Sequence, residues 1–432
     1  MSNFITFGCW NKGNCIPGPH LSNPLSRVIA KMDEHIHELK KGPSFVCIAG
    51  DNYYPDIHTE KVEVDGKEKD KKIKTLSIPN LQSGFECLKQ FHKRHRHIPI
   101  DIIAGNHDTE KTSDMVIHDD RPSSGQRDSC LITKTEIQAT RGNRTMNFTM
   151  FNYRVMENTL VVMVDSNIYC EKLDDAAELN CYALLVDHTR SKLDGLRSPY
   201  SRSTPTIIDS VDQLKTFQED WLHIMYASIS GLKFANVVIV AHHPIALYKI
   251  KNKKCRYEIV PQDYLDFCYG IYTHLRDNNN SLHFFYSCAD LHTYQSGTVT
   301  IKRASDPITI SQEIAGTGGT ELEPEYAKMD LVCTPQHESG LVDYHMTKID
   351  HNHGFLHWSI HSGSGNLSAT FIPIDSDLSG RASESGRASG RASASASARE
   401  GGTKRRRQHA SKRRRQRTSK RGRSKRQRRS RH

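Results

Sequence analysis

The sequence is poor in the residues that build large cores. Hydrophobic residues make up 36% of the 432 positions and aromatic residues 8%, low for a chain that folds along its whole length. No apolar run approaches the ~18 residues that a membrane helix needs, so no membrane span is expected. The eleven cysteines form no CxxC pair and no regular spacing, which excludes a sequence-evident zinc ribbon or disulfide framework. The opening MSNFITFGCW has neither a basic start nor an apolar run of signal-peptide length. These features together predict an intracellular, non-secreted protein of cytoplasm or nucleus with mostly reduced thiols. The patterns Asn143-Arg-Thr, Asn147-Phe-Thr and Asn366-Leu-Ser carry little weight on that expectation.

The apolar deficit is concentrated at one end. Between Ser376 and His432 lie 21 of the 60 Lys and Arg residues but 3 of the 49 Asp and Glu, leaving 39 basic against 46 acidic residues in the rest. The formal net charge of +11 therefore belongs to the tail, and the body is mildly acidic. The tail begins with Arg-Ala-Ser repeats at Arg381, Arg387 and Arg391, and ends in protamine-like clusters with 17 Lys and Arg in the last 32 residues. Such a segment cannot bury enough apolar surface to offset its ordering entropy, so two parts are expected: a folded domain over residues 1–375 and a disordered tail over 376–432. Each cation that neutralises a phosphate releases counterions, so the tail predicts sequence-tolerant binding to nucleic acid. Its KRRR clusters also suit nuclear import, and its Arg-Ala-Ser repeats suit basophilic kinases. A solubilising role alone is the simpler reading of the same charge. A tail of this kind fits a nuclear protein or a virion protein of a large DNA virus.

Within the body, short unbroken apolar runs alternate with polar helical stretches. Phe4–Phe7, Phe45–Ile48, Ile98–Ala104, Leu160–Val164, Val237–Ala241 and Phe284–Ser287 have the continuous apolar character of strands buried on both faces. Asn23, Pro24 and Gly42 bracket a helix over Leu25–Lys40. Asn80–His95 and Val211–Ile229 read as further helices. After Ala289 the pattern turns strand-rich: Thr298–Arg303, Ile308–Ile314, Leu341–Ile349, Phe355–His361 and Ala369–Ile374. An α/β half followed by a β-rich half predicts two packed sheets with helices outside. Val62–Lys74 and His118–Asp128, both charged, read as surface loops.

Ligand-type residues follow the buried runs: Gly8-Cys9-Trp10-Asn11, Gly50-Asp51-Asn52-Tyr53-Tyr54, Gly105-Asn106-His107-Asp108, Ala241-His242-His243-Pro244 and Ala289-Asp290-Leu291-His292. In α/β folds the loops leaving the strand ends converge on active sites. Carboxylate, imidazole, amide and phenolate groups held by several rigid elements are what divalent metals require.

The order of these motifs resembles the calcineurin-like metallophosphoesterases. GDNYY and ADLHTYQ are most similar to the purple acid phosphatase branch, whose usual patterns there are GDNFY and GHDHNLQ. Met146–Arg154 with Leu160–Asp165, and Ile314–Gly319, resemble two further stretches of that family. The resemblance spans roughly residues 3 to 375. It implies an α/β, four-layer αββα sandwich and a metal-dependent phosphoesterase, in which a metal-bound hydroxide attacks a phosphate ester between two metals roughly 3.5–4 Å apart. Carried over residue by residue, Asp51 would bridge the metals. Tyr54 and His292 would serve the first metal, and Asn106 and His242 the second. His107 would contact the phosphoryl group and help protonate the leaving group, with Asp108 orienting its ring. Two positions depart from the pattern. Cys9 stands where the family has Asp, and Asp290 stands where it has an imidazole. A thiolate ligand favours zinc or ferrous iron over magnesium or manganese, and Asp290 adds negative charge beside the second metal. One or two ions are implied, among zinc, iron and manganese. Cys9 could equally be a packed thiol, Tyr54 a core aromatic beside Tyr53, and His243 a wall residue. The alternative function is a catalytically impaired fold that serves as a nucleic-acid-associated structural protein.

Overall fold

The computed structural model describes residues 2–374 apart from 13–14, 16–22, 65–66, 114, 119–127, 194–206, 252–253, 278–281, 304–305, 323–335, 339 and 362–363. The basic tail and most of the His118–Asp128 stretch lie outside the described residues.

Two mixed sheets face each other. One runs in the order Leu367–Pro373, Gly354–Ile360, Asn3–Phe7, Val46–Ala49, Ile100–Ile103, Met146–Phe148. The last four are parallel, and the first two pair antiparallel at the edge. The other runs Gln336–Glu338, Val342–Asp350, Tyr294–Ile301, Ile308–Ala315, His283–Cys288, Asn236–Val240, Thr159–Met163, Asn152–Met156. Its centre is parallel and both its flanks are antiparallel. Pleating divides the buried strand residues between two cores. Phe4, Phe45, Cys47, Ala49 and Ile103 meet Val161, Met163, Val238 and Val240 between the sheets. Their neighbours Ile5, Phe7, Ile48, Ile102, Val162 and Ile239 join the apolar faces of the helices. The result is the helix, sheet, sheet, helix layering expected from the sequence.

The interior is pinned by specific contacts as well as by apolar area. Phe4 stacks between Phe45 and Trp358, with centroids 5.0 and 5.5 Å away, and the Trp358 indole donates to Thr6 Oγ1 at 2.9 Å. Asp101, fully buried, receives a two-pronged pair from Arg154 at 2.7 and 2.9 Å and further bonds from Asn147 and Asn152. Because Asp101 and Arg154 belong to different sheets, this network fixes one edge of the sandwich against the other.

Helix Pro24–Glu38 starts as its sequence predicts. The Asn23 side chain accepts from Leu25 N at 2.8 Å, and Leu25, Val28, Ile29, Met32 and Ile36 form the buried stripe. Ser77 and Ser210 cap Ile78–Arg94 and Val211–Ser228 in the same way. Helices Leu131–Thr140, Ala176–Leu193 and Gln262–Asp277 were not anticipated.

Two expectations are corrected. Val62–Lys74 is not a loop. Asp56–Val64 and Lys67–Ser77 form an antiparallel hairpin, and Val116–His118 pairs along it. Its strands are largely exposed, so no apolar alternation marks them, and register is supported instead by opposed charges such as Glu60 across from Lys71 and Lys61 across from Asp70. Nor are the thiols mostly reduced. Cys15 is bonded to Cys87 and Cys130 to Cys181, and Cys255 is also in a disulfide. Closing loops of 72 and 51 residues stabilises by about 4 kcal/mol each in the chain-entropy account. Disulfides persist in oxidising surroundings, so the cysteines no longer support an intracellular setting. Among the described residues no helix is long and apolar enough to cross a membrane.

Burial pushes His188, His353 and His357 down to about 4. An unfolded histidine titrates near 6.5. Between about 6.5 and 4 the unfolded chain therefore binds more protons at these positions. Their stability contribution is complete above that window and lost as pH falls through it. Burial raises Asp165 and Glu313 to about 7 and so acts in the opposite direction, which makes a comparison of variants the informative measurement. His357 packs edge-on against His35 at 4.7 Å and has a buried, unpartnered Nε2. His357→Gln is expected to lose less Tm than the wild type between pH 7 and pH 5; equal losses would show that His357 titrates normally.

Candidate metal centre

Five loops leave the C-terminal ends of parallel strands at one edge of the sandwich and are stitched together by backbone bonds. Cys9 N donates to Gly50 O (3.1 Å), Trp10 N to Asp51 O (3.3 Å) and Ala289 N to His242 O (3.0 Å). The turns are sharp. Among the described residues four non-glycine positions have left-handed backbone: Cys9, Asp51 and Asp290, with φ of 52°, 51° and 52°, and Glu157. That conformation costs roughly 1–2 kcal/mol per residue, and such strain gathers where a site demands it. Three of the four lie within this cluster. Gly50 and Gly105 permit the crowding: a Cβ on Gly50 would stand 2.7 Å from the Gly105 backbone, and one on Gly105 would stand 2.1 Å from Asp51 N.

Asp51 is the hub. It is 2% exposed. Its Oδ2 accepts from Tyr54 Oη at 2.6 Å and lies 3.3 Å from His242 Nε2 and 4.0 Å from Cys9 Sγ, while its Oδ1 accepts from His107 N at 3.2 Å. His242 Nδ1 donates to Ala49 O at 2.9 Å, which turns Nε2 toward the cluster, 3.1 Å from Asn106 Oδ1 and 3.8 Å from Asp290 Oδ1. Tyr54 Oη is 3.1 Å from His292 Nε2. The structure thus brings Cys9, Asp51, Tyr54, Asn106, His242, Asp290 and His292 together. His107 lies at the rim with its ring 5.0 Å from that of Tyr54. Tyr53 turns away, its hydroxyl accepting from Ser77 N, and His243 bonds Ser166 and Glu171 as a wall residue.

Asp108 does not orient His107. It is fully buried and accepts from Gly105 N (2.6 Å), Asn52 N (2.8 Å) and Asn52 Nδ2 (2.6 Å), so it braces the Gly105 turn against the Asp51 turn. The next helix supplies Glu136, also fully buried, beside it. Burial and the Asp108 charge raise Glu136 strongly, and burial with Asp51 raises Asp108 to about 7. The group that reaches the His107 ring is Glu110, whose Oε2 is 3.2 Å from Nδ1. No motif marks Glu110; its place three residues after His107 was the only available signal.

Opposed burial and charge set the protonation of the cluster. Burial alone would raise Asp51, but the His242 and His107 imidazoles outweigh it and hold the carboxyl far below its usual range. Burial opposes a charged imidazole at His242, yet Asp51 and Asp290 push it up strongly. Burial and then Asp51 raise both the Cys9 thiol and the Tyr54 phenol. Protons thus balance a set of anionic donors, as expected where a metal would displace them. Donor atoms of Cys9, Asp51 and His242 lie within 4.8 Å of one another. Zinc–sulfur and zinc–nitrogen bonds of about 2.3 and 2.0 Å span most of that distance, so the donor set fits a transition-metal ion.

No protein-family model matches the sequence, and no curated protein matches it. Solved structures do. The chain is similar to purple acid phosphatase PPD1 from yellow lupin (Lupinus luteus) seeds, at 12% identity and a TM-score of 0.37, over 87% of this chain and 54% of that one. It is similar to PhoD at 11% identity and 0.43, over 87% and 70%. It is also similar to GAP50, the anchor in the inner membrane complex of Plasmodium, at 8% identity and 0.41, over 87% and 85%.

Cobalt(II) bound to a thiolate absorbs in the near ultraviolet. Cobalt-loaded protein is expected to show that band and Cys9→Ser to lose it. A spectrum unchanged by the substitution would make Cys9 a packed thiol.

Proposed function

We propose that the chain is a metal-dependent phosphoesterase whose active site is the Asp51 cluster. The observation that carries this reading is the convergence of polar side chains from five strand ends, three of them on left-handed residues. Asp51 would bridge two ions, with Cys9, Tyr54 and His292 on one side and Asn106, His242 and Asp290 on the other. Zinc or ferrous iron suits the thiolate better than manganese or magnesium. When bound, such ions supply an activated water nucleophile and Lewis-acid stabilisation of phosphoryl charge. The protein's own contribution is placement. The Ala49 carbonyl fixes the His242 tautomer, Asp108 locks two loops, and His107 at the rim would meet the phosphoryl group and protonate the departing oxygen. Elemental analysis of the purified chain is expected to find one to two equivalents of metal. Turnover of a phosphate ester should fall at least ~100-fold in Asp51→Asn, a loss of about 3 kcal/mol of transition-state stabilisation. No metal, with no turnover across added zinc, iron and manganese, would refute the enzyme.

Two observations favour the impaired-fold alternative: Asp290 stands where an imidazole is usual, and Cys9 must lose a proton that burial holds on it. On that reading the domain is a scaffold and the tail performs the function.

The tail, beginning at 376, is proposed as a separate segment that binds nucleic acid through its phosphates and could direct the protein to a nucleus or virion. Deleting 376–432 should leave the Tm of the body within ~1 °C and abolish salt-sensitive DNA retention. Loss of folding on deletion would contradict the boundary, and retention without the tail would move the nucleic-acid surface to the body.

A further inference from the structure

The hairpin that sequence reading mistook for a loop reaches the active site. Lys74, on its second strand, pairs through Nζ with Glu110 Oε1, and the other oxygen of the same carboxylate, Oε2, is 3.2 Å from His107 Nδ1. The Glu110 side chain is 18% exposed, the His107 side chain 24% and that of Lys74 38%. His107 is held on a second side by its backbone bond to Asp51 Oδ1. A half-buried carboxylate gripped by a lysine has one oxygen left to aim, and that oxygen faces a ring nitrogen.

From this geometry we infer that Glu110, anchored by Lys74, is the positioning residue for His107: it accepts Nδ1–H, fixes the ring plane and tautomer, and leaves Nε2 to serve the leaving group. The inference rests on the phosphoesterase reading for its chemistry. In that step water oxygen forms the new bond to phosphorus, and the bond from phosphorus to the ester oxygen breaks. The electron pair passes to the ester oxygen, which takes a proton from Nε2 of the imidazolium form of His107 and leaves the neutral ring protonated on Nδ1, while the proton of the attacking water passes to solvent and solvent later restores the Nε2 proton. An aimed proton donor matters most for esters of weakly acidic alcohols, whose oxygen leaves poorly as an anion. It matters least for nitrophenyl esters. The substrate class that this device serves is therefore the alkyl phosphate esters, such as sugar or hydroxyamino-acid phosphates.

Two measurements on the full-length, metal-loaded chain test this. Glu110→Ala should lower kcat on glycerol phosphate by about 10–100-fold, change KM less than ~3-fold, and lower kcat on dinitrophenyl phosphate by no more than about 3-fold. Glu110→Gln, which keeps an acceptor oxygen, should fall between, and Lys74→Met should show the same leaving-group pattern more weakly. A uniform loss on both esters, or none, would overturn the positioning role. The second readout is independent of turnover. Long-range proton–nitrogen correlations of histidine-labelled, zinc-loaded protein, with His107 assigned from His107→Gln, should place the proton on Nδ1 in the wild type and move it in Glu110→Ala. An unchanged tautomer would sink the inference. Wild-type protein without turnover would refute the phosphoesterase reading instead, and the tautomer measurement alone would then decide whether Glu110 positions the ring.

Discussion

A carboxylate with almost no exposure to water sits at the edge of the sandwich, and much of the surrounding structure serves to keep it there as an anion. Burying a charge costs several kcal/mol unless partners replace its water. For Asp51 those partners come from the whole length of the body: the Tyr54 hydroxyl, the His107 amide and the His242 imidazole. His242 in turn depends on the Ala49 carbonyl at the end of a strand in the facing sheet. Removing any one partner would leave an uncompensated group inside the protein, so the loops stand or fall together.

The sandwich makes that arrangement possible. Parallel strands deliver their C-terminal ends to the same edge, and strands buried throughout do not drift in register. Cys9, Asp51 and Asp290 can then be held left-handed because the strands behind them are fixed by packing and the loops are cross-bonded to one another. The Asp108–Glu136 pair illustrates the same economy. A residue that looks catalytic in the motif is a brace between two turns, and the polar contact at His107 falls to Glu110 instead.

Cys9 and Asp290 share the left-handed geometry of Asp51. On the proposed reading the softer donor at Cys9 would favour zinc or ferrous iron, whereas the carboxylate at Asp290 is a harder donor. The free thiol of Cys9 at the centre coexists with at least five oxidised cysteines elsewhere.

Sequence alone determined the buried strands, the capped helix Pro24–Glu38 and the order of the five loops that carry the polar cluster. Each depends on short-range signals: unbroken apolar runs, an Asn-Pro start, glycines that permit a turn. What only the tertiary structure decided depends on distance in sequence. The Cys15–Cys87 and Cys130–Cys181 bonds follow no local spacing. The Asp56–Ser77 hairpin hides its strand character because neither exposed face needs apolar residues. The role of Glu110 requires Lys74 from a strand 36 residues earlier, and Asp108 could be recognised as a brace only once Asn52 and Gly105 lay against it. Residues that bury themselves announce it locally, whereas polar residues take their meaning from whatever the fold places within 3 Å of them.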